Sequence, residues 1–282
     1  MIQFPALFQV PMVGSDVCGF NYDTNPTLCA RWAVLGSWNP FFRNHAEISS
    51  RPQEFYRWDI VADAARKAIA MRYRLLDYTY SNFHRQSQTG IPMMTPLVWQ
   101  FPDDDATNAI ELQFFAGDAL LVSPVTEPNS TSVEFYLPRG RFYDFWTHEK
   151  IDSKGAQVKR DNVGYDEIPV HIRGGNIIPL RTKSAYTTTA LRKQDFELIV
   201  APDELGVASG FLYLDDGDSV EPKTKSELHF SYKNGGLTSN GSFGYNPHVK
   251  LAKITILGCR GKETVKNVNF PLTGPFAFSL SC

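Results

Sequence analysis

The sequence predicts an α/β segment followed by an all-β region, with the change near residue 100. Three observations carry this. Short apolar runs alternate with helical periods over residues 1 to 100. Beyond Gln100 the apolar residues recur at every second position, between turns marked by Gly and Pro. No second long helical period follows. Strand, loop, helix, strand and long helix is the order of a βα repeat. The later part reads as antiparallel β-sandwich, in two modules. The expected division is 1–100, 101–185 and 186–282, with the joint between the two β modules near residues 181 to 192.

Each element has its own signal. Val10 to Val13 is an apolar run ending at Gly14, and it reads as a buried strand. The loop after it holds Ser15, Asp16, Cys18, Gly19, Phe20 and Asn21. Asn25 is a candidate cap for a helix reaching Gly36, with Pro26 in its first turn. Trp38 to Phe42 is the next expected strand, closed by Arg43-Asn44-His45. Ile60, Ala64, Ala68, Met71, Leu75 and Tyr78 fall three or four apart on one helical face, and Gly90 and Pro92 stop the pattern. Val133, Phe135 and Leu137 alternate with Ser132, Glu134 and Tyr136, which is half-buried strand spacing; Phe196, Leu198 and Val200 repeat it. Turns are expected at Pro138-Arg139-Gly140, Gly174-Gly175, Asp216-Gly217 and Asn234-Gly235. A complete (β/α)8 barrel takes about 250 residues. If the first segment is barrel, it supplies only the last βα units.

Composition narrows the function classes. Hydrophobic residues are 43% and charged residues 21% of the 282, enough for a sizeable core. The net charge of -2 and the lack of Lys/Arg runs disfavour nucleic acid and a membrane surface as partners. No run of about 18 apolar residues is present to span a bilayer. Aromatics at 13% suit sugar platforms and also aromatic-rich sheets. The four cysteines, Cys18, Cys29, Cys259 and Cys282, permit two disulfides, although the pairing of the last two is not readable. Asn129-Ser130-Thr131 and Asn240-Gly241-Ser242 are glycosylation sequons. Together these tilt towards the secretory pathway. Residues Met1 to Met12 make a poor signal peptide, so a targeting signal is expected elsewhere and the chain reads as a piece of a longer product.

Asp16, in a loop at the carboxyl end of an expected strand, has the chemistry to hold sugar hydroxyls by charge-assisted hydrogen bonds. Phe20 has a face to stack on a sugar ring. A capping Asp and a core Phe is the plain alternative. His45 closes the next strand and has a ring N–H to offer a hydroxyl; a structural or exposed His is the alternative. Cys18 and Cys29 flank a short loop and are either a disulfide pinning it or two buried thiols. No Cys/His spacing suggests a metal, and no nucleotide or cofactor fingerprint occurs, so neither metal nor cofactor is expected. Asp215-Asp216-Gly217-Asp218-Ser219 lacks the full calcium-loop spacing and reads as a turn.

Five ordered motifs carry a family resemblance. Pro11-Met-Val-Gly-Ser-Asp16-Val-Cys-Gly-Phe20-Asn21 is similar to the GADICGF-type motif of glycoside hydrolase family 31, which includes the α-glucosidases. Pro40-Phe-Phe-Arg-Asn-His45 is similar to its PFxRNH motif. Ile91 to Pro96, Gly117 to Pro124 and Ile168 to Pro179 resemble its later signatures. The resemblance covers most of the first 180 residues and loosens beyond, through Phe211 to Asp218. It implies the last βα units of a (β/α)8 barrel followed by two C-terminal antiparallel β-sandwiches. It implies a retaining mechanism with two carboxylates. The WxDMNE-type nucleophile motif and the WxGDN-type acid motif have no counterpart here, so no catalytic residue is expected in this chain. Asp16, Phe20 and His45 match residues lining the glucose subsite beside the scissile bond. Cys18 and Cys29 match a disulfide common in secreted eukaryotic members. Ser15 departs from the frequent Ala.

The expected role is the C-terminal part of a secreted α-glucosidase acting on the non-reducing ends of α-glucans and maltooligosaccharides. An N-terminal polypeptide of the same enzyme would be its partner. α-Xylosidase or another family specificity is one alternative. An inactive binding or assembly module is the other. Linkage preference, transglycosylation and oligomeric state are not legible.

Overall fold

A computed structural model describes residues 3–259 and 262–279. In chain order, α1 (Gln3–Phe8) precedes the short strand β1 (Asp16–Val17), then come α2 (Pro26–Gly36), β2 (Arg43–Asn44), α3 (Asp59–Arg74) and α4 (Leu76–Thr89). β3 (Met94–Thr95), α5 (Leu97–Gln100), β4 (Phe114–Ala116) and β5 (Leu120–Val122) lead into the long strands β6 (Val133–Asp144) and β7 (Lys150–Arg160). β8 (Val170–Arg173), β9 (Asn176–Arg181), α6 (Thr188–Leu191), β10 (Phe196–Ala201), β11 (Val207–Leu214), β12 (Ser226–Lys233), β13 (Gly236–Phe243), β14 (Lys250–Cys259), β15 (Lys262–Pro271) and β16 (Phe276–Ser279) complete the chain. The chain forms two compact units. One holds 1–72, 89–139 and 154–170; the other holds 73–88, 140–153 and 171–282.

In the first unit β1 and β2 are parallel neighbours, with Asp16 opposite Arg43 and Val17 opposite Asn44. α2 is the crossover between them, which makes a βαβ unit. Asn25 caps α2, its Oδ1 accepting Leu28 N–H at 3.0 Å, and Pro26 stands at the first turn as expected. Helix and strands pack closely at Gly36, where a Cβ would come within 2.6 Å of Val17 Cγ2. Arg31 on α2 donates to the carbonyls of Ser130, Val163, Gly164 and Glu167, which ties the helix to two loops of the same unit. β3, β4 and β5 form a short buried antiparallel meander.

The second unit is dominated by an eight-stranded sheet of order β15-β14-β10-β9-β11-β12-β13-β16. Its apolar core includes Phe196, Leu198, Leu228, Phe230, Ile254 and Ile256. Asn234-Gly235 makes the expected hairpin turn between β12 and β13, with φ of 52° and 76°. Two left-handed residues in a two-residue loop are what a type I′ turn requires. Asp216 Oδ1 accepts the N–H of Asp218 and Ser219, so the acidic loop is a turn.

Several expected elements are displaced. The strand expected at Val10 to Val13 lies instead at Asp16–Val17, because Pro11 removes a ladder donor inside the apolar run. The strand expected at Trp38 to Phe42 is Arg43–Asn44. The long helix is two, with a pause at Leu75. Arg74 donates to Arg181 O and pairs with Glu197, while Asp77 pairs with Arg181, so side chains on both sides of the pause are committed to the sheet of the second unit. Pro138-Arg139-Gly140 is no turn; it runs inside β6, with Gly140 at φ 138°. The half-buried alternation also fails: Tyr136 is buried beside Phe135 and Leu137, and all six residues of β10 are buried. Tyr136 tolerates this because its hydroxyl donates to Asp104 Oδ2 at 2.8 Å. β10 is covered on both faces, and its pairing with β14 is parallel rather than antiparallel.

Candidate functional site

The site is built at one end of the β1–β2 pair. Parallel strands send the loops that follow them to the same end, so the segment after Val17 and the segment after Asn44 start side by side. The first segment turns at once. Gly19 N–H closes on Asp16 O at 3.0 Å, with Cys18 at φ 76° and Gly19 at φ 93°. A side-chain-bearing residue in the left-handed region is a costly turn position. The Cys18–Cys29 disulfide fastens that residue to α2. The alternative of two free thiols is thereby excluded. Cys282, the other half of the second possible pairing, lies outside the described residues.

The second segment folds back over the first. Glu47 N–H donates to Phe20 O at 3.0 Å, and Arg51 N–H donates to Asp23 Oδ1 at 2.7 Å. Upstream, the Arg72 guanidinium gathers the carbonyls of Ser37, Asn39 and Pro40, fixing the turn that feeds β2. As a result the rings of Phe20 and His45 lie 5.3 Å apart, tilted by 35°. Phe20 is 41% exposed and His45 is exposed, so Phe20 is not the core residue of the plain alternative.

Asp16 is the first residue of β1 and not a loop residue as expected. It is also not a cap. Its Oδ1 accepts Arg43 Nη2 at 2.6 Å, so one carboxylate oxygen is held by the residue directly opposite in the sheet. Arg43 in turn lies over the Phe41 ring, 5.4 Å from its centroid. Phe20 and His45 are thus brought together past the carboxyl end of the strand pair that Asp16 begins. Gln53 escaped the sequence reading. It sits between Pro52 and Glu54 in an extended stretch with no periodicity, yet it is buried and bonded to both loops. Among the described residues no group of three or more His, Cys, Asp or Glu side chains is placed to hold a metal, and no helix is long and apolar enough to cross a membrane.

Residues 1–82 match the model of the glycosyl hydrolases family 31 TIM-barrel domain, and residues 90–178 match that of the glycosyl hydrolase family 31 C-terminal domain. The chain belongs to glycosyl hydrolase family 31. A probable alpha/beta-glucosidase of Aspergillus fumigatus is 56% identical over 258 residues, 92% of this chain and 29% of that protein. Glucoamylase 1 of Schwanniomyces occidentalis is 40% identical over 265 residues, 93% of this chain and 27% of that protein. A crystal structure of the glucosidase II alpha subunit superposes with a TM-score of 0.86 at 26% identity, over 94% of this chain and 34% of that one. The chain therefore spans under a third of the length of the curated family members it matches.

Within the family frame, β1, α2 and β2 are part of the TIM-barrel domain, and Phe20 and His45 follow the carboxyl ends of its strands, where barrel sites are built. The β-rich remainder contains the family's C-terminal domain.

Proposed function

We propose that this chain supplies the C-terminal part of a retaining α-glucosidase that releases glucose from the non-reducing ends of α-glucans and maltooligosaccharides. The observation that carries this reading is the meeting of Phe20 and His45 just past the carboxyl ends of two adjacent parallel strands, the first of which begins at Asp16. The names of the relatives, alpha/beta-glucosidase and glucoamylase, support the substrate class. Asp16 and His45 hold sugar hydroxyls, and Phe20 is part of the apolar wall. Such contacts speed the reaction to the extent that they tighten as the sugar ring flattens. The nucleophile and the acid/base carboxyl come from an N-terminal polypeptide of the same enzyme. The apolar surface of the first unit supports such a partner: Phe4, Leu7 and Phe8 on α1 are exposed. A groove of about 710 Å³ lined by Leu7, Leu35, Trp99 and Phe114 opens beside them.

In the same reading, residues 1–100 end the barrel, and 101–185 and 186–282 are two β-sandwich modules. The product is a secreted or secretory-pathway glycoprotein, with Asn129 and Asn240 as acceptors; both are exposed, and the Cys18–Cys29 disulfide fits an oxidising compartment. Native and denaturing mass spectrometry of the natural material, with hydrolysis of maltose, nigerose and isoprimeverose, tests the proposal. Glucose release from maltose by a species that includes the two missing carboxylate motifs is expected. Preference for isoprimeverose would replace the substrate with an α-xyloside. This chain alone, without hydrolysis, would leave a binding or assembly module and end the claim of activity.

A further inference from the structure

One buried carboxamide joins the two candidate loops. Gln53 is 5% exposed and precedes the single helical turn Phe55–Arg57. Its Nε2 faces four oxygens: Val17 O at 3.2 Å, Gly19 O at 3.0 Å, Asn44 Oδ1 at 3.1 Å and His45 O at 3.1 Å. Its main-chain carbonyl accepts Asn44 Nδ2 at 2.9 Å, while the side-chain Oε1 has no partner among the described residues. An amide nitrogen has two hydrogens, so the four acceptors of the two loops share them. Val17 and Gly19 flank Cys18, the residue in the costly left-handed turn. Asn44 and His45 are the end of β2 and the residue after it. A carboxylate here would present oxygens to oxygens, and an aliphatic side chain would strand buried carbonyls.

We propose that Gln53 is the positioning residue of this site: its carboxamide ties the carbonyls on either side of Cys18 to the Asn44–His45 strand end, and so fixes Phe20 against His45. Its effect on catalysis rests on the reading of Asp16, Phe20 and His45 as a sugar subsite; the tie between the loops does not. Gln53 touches no substrate in this account. It acts through the loops that do, and small misplacements of such groups carry large rate penalties.

The test uses the whole protein and two variants, Gln53→Ala and Gln53→Glu, with Arg31→Ala as control. Arg31 also bonds four carbonyls of the first unit, but in other loops. Amide hydrogen exchange over residues 17–20 and 44–47 is read beside kcat/KM on p-nitrophenyl α-glucoside. Both Gln53 variants are expected to speed exchange in the two segments at least tenfold and to lower kcat/KM by roughly tenfold to a hundredfold. Arg31→Ala is expected to lower the melting temperature while leaving both readouts unmoved. Unchanged exchange overturns the proposal, as does faster exchange with undiminished kcat/KM. An equal loss in Arg31→Ala overturns it too, since general loosening would then suffice. Faster exchange in a protein that cleaves no glucoside supports the tie and removes the sugar-site reading instead.

Discussion

Asp16 and Arg43 are paired twice, once as opposite residues of a parallel strand pair and once as an ion pair at 2.6 Å. The side chains are 27% and 50% exposed, so the bond adds little stability, about 0–1 kcal/mol. Its consequence is orientation: it holds Asp16 Oδ1 and so fixes where the carboxylate's remaining lone pairs can meet a hydroxyl. Arg43→Ala should therefore lower kcat/KM while shifting the unfolding midpoint hardly at all. A double-mutant cycle with Asp16→Asn should show strong coupling in kcat/KM and weak coupling in stability; equal additive effects in both would contradict the orienting role.

A second pairing is structural. Arg181 meets Asp77 with two bonds of 2.7 Å, both side chains nearly buried, and the guanidinium also lies 3.8 Å from the Phe196 ring centroid. Breaking a buried pair from one side strands the other charge. Asp77→Ala should destabilise by about 3–5 kcal/mol in urea unfolding. Asp77→Ala with Arg181→Met should recover much of that. A mild single-mutant effect would show that water reaches the pair.

The Cys18–Cys29 disulfide closes a short loop, with a sequence separation of 11. In the chain-entropy view such a closure contributes about 3 kcal/mol. Cys18→Ala with Cys29→Ala should lower the melting temperature and raise KM, because the left-handed turn before Phe20 loses its fastening. An unchanged KM would show that Gln53 and the strand pair suffice.

Alkaline pH offers an independent check on the second unit. Burial, helped by the hydrogen bond to Asp215, pushes the Tyr80 hydroxyl from 10.0 up to about 12, and burial pushes Tyr143 up to about 12 as well. Folding thus favours the protonated phenols. The stability they contribute is complete below pH 10, falls as the unfolded chain ionises, and is lost as pH rises through 12. Urea midpoints should decline between pH 10 and 12, less steeply in Tyr80→Phe. A flat profile would contradict the burial of Tyr143 and the hydrogen bond from Tyr80 to Asp215.

The sequence makes the elements that obey local chemistry legible. Asn25-Pro26 marks the start of α2, and Asn234-Gly235 marks a hairpin. The misplacements have tertiary causes. Leu75 continues the apolar stripe of its helix, and the residues around the pause, Arg74 and Asp77, are paired with residues of the sheet, which no local pattern records. Tyr136 and Glu197 look solvent-facing in an alternating pattern, but Asp104 accepts from the one and Arg74 and Lys253 pair with the other, which makes burial tolerable. At the site, motif likeness led to Asp16, Phe20 and His45. Gln53 stayed hidden because its partners are mostly main-chain carbonyls, which leave no residue pattern to read.

The most direct measurement is kcat/KM for maltose in the whole protein, compared among wild type, Asp16→Ala and His45→Ala at matched melting temperature. The account predicts hydrolysis by wild type and a loss of roughly tenfold to a thousandfold in each variant, the scale of a missing polar or charged contact to the reacting sugar. Wild-type hydrolysis with unchanged kcat/KM in both variants would contradict it.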